Sequence, residues 1–390
     1  MTRRKAERNP LPAVLAAQFL SAFSDNALLV DAIALLKAGH AEAHAPLLQV
    51  IFALPFILLA PFAGAMADAM PKSRAMMLSN ALKFSGAALM LMGLAPIPCF
   101  AVVGIGAAAY SPAKYGILPE LFEKNRLVEA NGWMEGSTIF AIILGAVAGG
   151  LVADHSLRMG ILLALSAYGM AALVNLAIPA LPLPRQGISF GNSLPRFFSA
   201  FSRLLRDGDA RFTLAGTSLF WGTGATLRIA LFAWVPAALS LFDNRTPGVL
   251  IGVVAIGIVF GALAASLWAK RAKDALIPGI AIGPLIAILS HVHSESIAML
   301  LLAAIGFCGG AYVVPLNALL QARGHELTGS GSALAVQNFF ENLAIFFMLG
   351  IYAGIEKAGV PEKLSVACFG LSIFVGMVIL TGLRRGPWKT

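Results

Sequence analysis

The sequence predicts an all-α integral membrane protein with twelve transmembrane helices in two six-helix halves, and three observations predict it. About twelve apolar segments separated by short loops run from Leu11 to Leu383. The 390 residues are 58% hydrophobic and 12% charged, where soluble domains carry about 25% charged residues. Lys and Arg fall almost entirely on alternate loops. A hydrocarbon core of about 30 Å requires about 20 residues of helix, and in the absence of water each backbone polar group must bond within its own segment. A soluble bundle with this surface would aggregate.

The first six spans are Leu11 to Leu36, Pro46 to Ala67, Ala75 to Ala95, Ile97 to Leu118, Ala130 to Val152 and Met159 to Leu181. The second six are Phe212 to Ser240, Pro247 to Ala269, Ala275 to His291, Ser296 to Leu320, Ser332 to Ile355 and Leu364 to Leu383. Of the 28 Lys and Arg residues, 21 lie on the side of the N-terminus and five on the other, with Lys83 and Arg228 inside spans. Cytoplasmic flanks are enriched in these residues, so both termini are expected in the cytoplasm. The +9 charge then reads as topology and attraction to anionic membrane lipids, and no basic, aromatic-rich soluble segment points to nucleic acid.

Thr2 to Arg8 leads into a first span long enough to stay in the membrane, so no cleavable signal is expected. Cys99, Cys308 and Cys368 lack CxxC spacing, and the six histidines form no HExxH or Cys/His cluster. Neither a metal site nor a cofactor is expected. Between Pro182 and Asp209 the apolar continuity breaks. This divides the chain into an N-terminal half (1–181), a linker (182–211) and a C-terminal half (212–390). In the linker Leu194, Phe197, Phe198, Phe201, Leu204 and Leu205 recur at helical spacing with Arg196, Arg203 and Arg206 interleaved. That suits a helix lying in the headgroup layer.

The halves carry traces of a repeat. Ala109-Tyr110, Pro112 and Lys114 in the fourth span correspond to Ala311-Tyr312, Pro315 and Asn317 in the tenth. Gly145, Ala148 and Gly149 in the fifth correspond to Gly350, Ala353 and Gly354 in the eleventh, all small enough for close helix approach. Duplicated halves related by an axis along the membrane normal follow. At the end of span two, Gly64-Ala65-Met66-Ala67-Asp68 with Pro71, Lys72 and Arg74 resembles the Gly-x-x-x-Asp loop motif of the major facilitator superfamily. Ala69 departs from that motif, which usually has a basic residue after the acid, and the counterpart Gly261 to Ala265 has no acid. The resemblance implies gating: Gly64 for close contact and Asp68 for holding a neighbouring helix terminus or basic residue in one conformational state, with Arg74 in the same gating set.

Ionisable groups inside spans are costly and mark pathways or partners. Asp25 and Asn26 sit midway along span one; Asp31 lies about 240° further round the helix, on another face and nearer the outer end, where water reaches. Arg228 lies deep in span seven between Trp221 and Trp234. A buried guanidinium demands an anionic partner, from substrate or protein. In span eleven Gln337 and Glu341, and Asn338 and Asn342, are four apart and share a stripe. Lys83, Lys114 and Glu135 are expected nearer the cytoplasmic side. Internal salt bridging is the favoured reading for Lys83 and Glu135, which join the gating set; substrate contact is favoured for Asp25, Arg228 and Glu341.

The runs Gln18-Phe19-Leu20-Ser21-Ala22-Phe23-Ser24-Asp25-Asn26, Tyr110-Ser111-Pro112-Ala113-Lys114-Tyr115-Gly116, Gly216-Thr217-Ser218-Leu219-Phe220-Trp221-Gly222, Val314-Pro315-Leu316-Asn317 and Ala335-Val336-Gln337-Asn338 closely resemble the bacterial lysophospholipid transporters. The resemblance implies alternating-access movement of lysophosphatidylethanolamine and lysophosphatidylglycerol from the outer to the inner leaflet of the bacterial inner membrane. A cytoplasmic-side acyltransferase then re-acylates them. No His-x-x-x-x-Asp acyltransferase motif occurs and the last span is expected to end the chain, so the acyltransferase is expected to be a separate partner and this chain not to be an enzyme. Arg228, with Lys114, is expected to hold the phosphate, and Asp25, Asn26, Gln337, Asn338 and Glu341 the rest of the headgroup. A facilitator exporting drugs or small amphiphiles shares the fold and the Asp68 loop; a membrane-embedded enzyme or assembly subunit is the other alternative.

Overall fold

The computed structural model describes residues 10–41, 44–179, 190–241, 245–269 and 272–383. The basic first nine residues, the start of the linker with Arg185, Lys270 with Arg271, and the C-terminal Arg384, Arg385 and Lys389 lie outside them. The described residues are organised by helices: α1 (Leu11–Ala38), α2 (Ala45–Leu58), α3 (Ala60–Ala69), α4 (Lys72–Leu91), α5 (Pro96–Gly116), α6 (Leu118–Leu121), α7 (Leu127–His155) and α8 (Leu157–Val174). There follow α9 (Ser193–Arg206), α10 (Gly208–Leu239), α11 (Arg245–Trp268), α12 (Leu276–Leu289), α13 (Glu295–Leu327), α14 (Ser330–Lys357) and α15 (Glu362–Leu383).

Nine helical spans among these residues are long and apolar enough to cross a membrane; α2 and α3 pass the same test together as a pair bent by 63°, which makes ten if the pair is one span. Of the two remaining segments of the sequence reading, α4 carries Lys72, Arg74 and Lys83, and α12 has 14 residues. The protein is a multi-pass membrane protein. The bend was not foreseen, although its cause is local. Pro55 sits inside α2 and Pro61 opens α3, and a proline has no N–H to give to the carbonyl one turn earlier.

The chain forms two compact units: residues 1–123, 140–199 and 329–336 in the first, and 124–139, 200–328 and 337–390 in the second. Helices α7 and α14 thus each contribute to both. In the first unit, a Cβ on Gly149 would lie 2.8 Å from the Ala27 Cα, and one on Gly145 would lie closer still to the Phe23 carbonyl oxygen. Two glycines one turn apart therefore let α7 lie directly against α1. Around them Leu28, Leu36, Leu48, Phe100, Val103 and Tyr168 form a buried core. In the second unit Gly257 and Gly261 on α11 face the α13 backbone, while Gly306 and Gly310 on α13 face that of α11. The sequence match of Gly350 and Gly354 to Gly145 and Gly149 does not extend to packing, because a Cβ on either of the former would meet no other part of the described residues within 4 Å.

The linker helix α9 is amphipathic as expected, but its apolar face is divided. Phe197, Ala200 and Leu204 are buried, and Phe201 stacks on Phe340 at 5.1 Å between ring centroids. Leu194 and Phe198 remain exposed. Part of the face is therefore covered by protein rather than by headgroups.

Gly149→Val should lower stability by about 1–3 kcal/mol, the usual effect of overpacking, whereas Gly354→Val should be nearly neutral. Thermal melts of the two purified variants in detergent check this.

Candidate functional site

Ser21 and Asp25 are four residues apart on α1 and so project from one face. From α4, Lys83 donates to the Asp25 Oδ2 at 2.9 Å and to the Ser21 Oγ at 2.9 Å. Ser21 donates onward to the Asn80 Oδ1 at 2.7 Å, and Tyr168 of α8 donates to the other Asp25 oxygen at 2.7 Å. The Lys83 ammonium also lies 4.9 Å from the centroid of the Tyr110 ring, a cation–π contact. Gly106 makes room for it: a Cβ there would sit 2.7 Å from the Lys83 Cγ. The structure thus places the gating candidate Lys83 beside the substrate candidate Asp25, at the middle of α1 rather than towards a helix end. Internal pairing, the favoured reading of Lys83, is what the geometry displays.

The second constellation belongs to α7, α13 and α14. Asn317 donates to the Glu135 Oε1 at 3.1 Å, and Gln337 donates to the Asn317 Oδ1 at 2.8 Å and to the Glu341 Oε1 at 2.7 Å. Two carboxylates are therefore joined through two amides, and all four residues are buried. One turn away, Asn131 and Gln321 exchange reciprocal hydrogen bonds at 2.8 and 2.7 Å. Glu135, expected as a gate, thus shares a network with Gln337 and Glu341, expected as substrate contacts.

A third site lies where α3 meets the start of α14. Asp68 accepts from the Gly331 N–H at 2.8 Å, the Ser332 N–H at 2.9 Å and the Ser332 hydroxyl at 2.7 Å. The first amides of a helix have no partner within it, so Asp68 caps α14 from a distant part of the chain, where its negative charge also suits the helix dipole. Gly329 (φ 98°) and Gly331 admit the carboxylate; a Cβ on Gly331 would lie 2.7 Å from the Asp68 Oδ1. Gly64 similarly permits contact with Ala335. Arg74 is exposed and makes no hydrogen bond or ion pair among the described residues. The basic neighbour of Asp68 is instead Lys72, at 3.9 Å, which also pairs with Glu120 at 2.5 Å. Lys72 lies just past the break between α3 and α4 and reaches back to the Ala67 carbonyl at 3.4 Å, whereas Arg74 is exposed.

Arg228 on α10 is exposed and has no hydrogen bond or ion pair among the described residues. Its side chain is not bonded to Glu341. Lys114 is buried with its ammonium 4.0 Å from the centroid of the Tyr115 ring. Asn26 donates to the Ala22 carbonyl of its own helix, and Asn342 likewise to the Asn338 carbonyl, so the second polar row of α14 serves its own backbone in part. Asp31 departs from expectation: it is fully buried, and neither carboxylate oxygen has a partner among the described residues. Gly160 of α8 packs directly onto it, which keeps water away.

The residues missed in the sequence had a signal. Ser21 with Asp25, Asn131 with Glu135 and Asn317 with Gln321 are all polar pairs four apart in apolar helices, the pattern already applied to Gln337 and Glu341.

The profile of the Major Facilitator Superfamily matches residues 14–349. The chain belongs to that superfamily. This facilitator is 50% identical over 357 residues to the lysophospholipid transporter LplT of Yersinia enterocolitica, covering 90% of this chain and 88% of that one. Its fold is similar to that of the human organic anion transporter MFSD10 (TM-score 0.80, 15% identity, 97% of this chain and 100% of that one). It is also similar to the E. coli fucose:proton symporter FucP (TM-score 0.77, 14% identity, 97% and 100%). These relatives are transporters, and the facilitator is not an enzyme.

Asp68→Asn keeps the size of the cap but removes its charge and one accepting oxygen. A loss of about 1–3 kcal/mol is expected, visible as a lower melting temperature in detergent and enlarged little further by adding Ser332→Ala.

Proposed function

We propose that this protein carries lysophosphatidylethanolamine and lysophosphatidylglycerol from the outer to the inner leaflet of the bacterial inner membrane by alternating access. The observation that carries this reading is the 50% identity, over 90% of the chain, to a lysophospholipid transporter. The arrangement of charges supports it. A lysophospholipid has a phosphate, a polar headgroup tip and one acyl chain, and the chain prefers hydrocarbon by about 0.8 kcal/mol per methylene. Transport therefore needs to shield the head alone.

Arg228 suits the phosphate because a guanidinium forks onto two oxygens, and its side chain has no bond of its own to break among the described residues. Lys114 adds a second cation. Asp25 and Glu341, with Asn26, Gln337 and Asn338, offer acceptors and amide donors to ethanolamine or glycerol. Asp68, Gly64, Lys83 and Glu135 belong to the holding contacts described above; Arg74 stands apart from them.

With both termini in the cytoplasm, delivery to the inner leaflet presents the lipid to a separate acyltransferase, which restores the second chain. The Lys and Arg bias supports that orientation.

The test is transfer of labelled lysophosphatidylethanolamine into spheroplasts that lack their own transporter, with arrival reported by acylated product. The native chain should restore uptake, and Arg228→Ala should reduce it by about a hundredfold, as expected for loss of a charged partner worth about 3 kcal/mol. Asn342→Ala, which frees only a bond within α14, should retain most of it. A well-inserted native chain that restores no uptake would shift the reading to a facilitator of other amphiphiles.

A further inference from the structure

We propose that Lys83 determines which headgroup charge the site accepts, by holding the Asp25 carboxylate electrically neutral. This rests on the lysophospholipid reading above. The two lipids in question differ in net charge: lysophosphatidylethanolamine is a zwitterion, and lysophosphatidylglycerol carries one negative charge with no ammonium. A site that takes both has to offer acceptors to an ammonium without repelling an anion.

The Asp25 side chain is 15% exposed and that of Lys83 only 1%. The carboxylate is therefore the open member of the pair and the ammonium lies behind it. Lys83 is held there by Ser21, by the Asp25 Oδ2 and by the face of the Tyr110 ring, with its stem running past Gly106. Tyr168 occupies the other Asp25 oxygen with a neutral donor. Two donors approach the carboxylate, and only one of them carries charge. A ligand arriving at Asp25 meets hydrogen-bond acceptors whose charge is already balanced, so ammonium and glycerol tips are both tolerated.

A purely structural ion pair predicts something different. Breaking it would impair both lipids alike, because only the fold would be affected. Charge balancing predicts that the two lipids respond in opposite directions. Without the Lys83 cation, Asp25 attracts ammonium and repels the anionic lipid. Without the Asp25 charge, Lys83 favours the anionic lipid. One unit charge several ångströms from the ligand, at an effective dielectric of about 20, corresponds to at least about a tenfold change in preference.

The experiment measures uptake of both labelled lipids in the same membranes and reads their ratio, which is independent of how much protein is inserted. Relative to the native chain, the ratio of lysophosphatidylethanolamine to lysophosphatidylglycerol should rise about tenfold or more in Lys83→Met. It should stay near native in Lys83→Arg, fall in Asp25→Asn, and return towards native when Asp25→Asn and Lys83→Met are combined. Should Lys83→Met fail to insert, Asp25→Asn and the double variant decide by the same ratio. A native chain that moves both lipids while the ratio stays fixed across the variants overturns the charge proposal alone. A native chain that moves neither overturns the lipid reading and this proposal together.

Discussion

The constraint on which everything else depends is that a polar group surrounded by hydrocarbon must find its partner inside the protein. Helix formation satisfies the backbone except at helix ends and at prolines, and these are where the chain departs from regular spans. The 63° bend between α2 and α3 follows from Pro55 and Pro61. The amides at the start of α14, which have no partner within the helix, are taken by Asp68, 263 residues earlier in the chain. A single carboxylate thereby completes one helix and fastens another to it.

The same rule applied to side chains produces two kinds of polar cluster. In the first unit the cluster is balanced: Lys83 neutralises Asp25, while Ser21, Asn80 and Tyr168 extend the hydrogen bonding without adding charge. In the second unit Asn317 and Gln337 join two acids through amides, whose donors serve carboxylates without altering net charge. Arg228 differs from both, since its cation is bonded to nothing among the described residues. Asp31 is the exception to the rule: a buried carboxyl whose oxygens have no partner among the described residues.

Close packing sets where these clusters can form. Gly106 lets the Lys83 stem pass, Gly329 and Gly331 let Asp68 approach a backbone, and Gly145 and Gly149 bring α7 onto α1. Each of these glycines removes a Cβ where a neighbouring atom needs the space. Gly350 and Gly354 match Gly145 and Gly149 in sequence and yet face open space, so a small residue is permission for contact and not evidence of it.

The sequence by itself determined the membrane class, most of the helical spans and the superfamily, and it singled out the ionisable residues inside them. Those features are written in local composition and spacing: length of apolar run, residues four apart, a Gly-x-x-x-Asp loop end. Helical periodicity also placed Gln337 beside Glu341, because one turn of helix is a local relation. Only the tertiary structure decided who partners whom between helices. That Asp25 meets Lys83, that Glu135 reaches Glu341 through Asn317 and Gln337, that Lys72 rather than Arg74 stands by Asp68, and that Asp31 is shut away under Gly160 all depend on how far apart helices lie and how they are turned. Those quantities are set by packing summed over many residues, and no single stretch of sequence contains them.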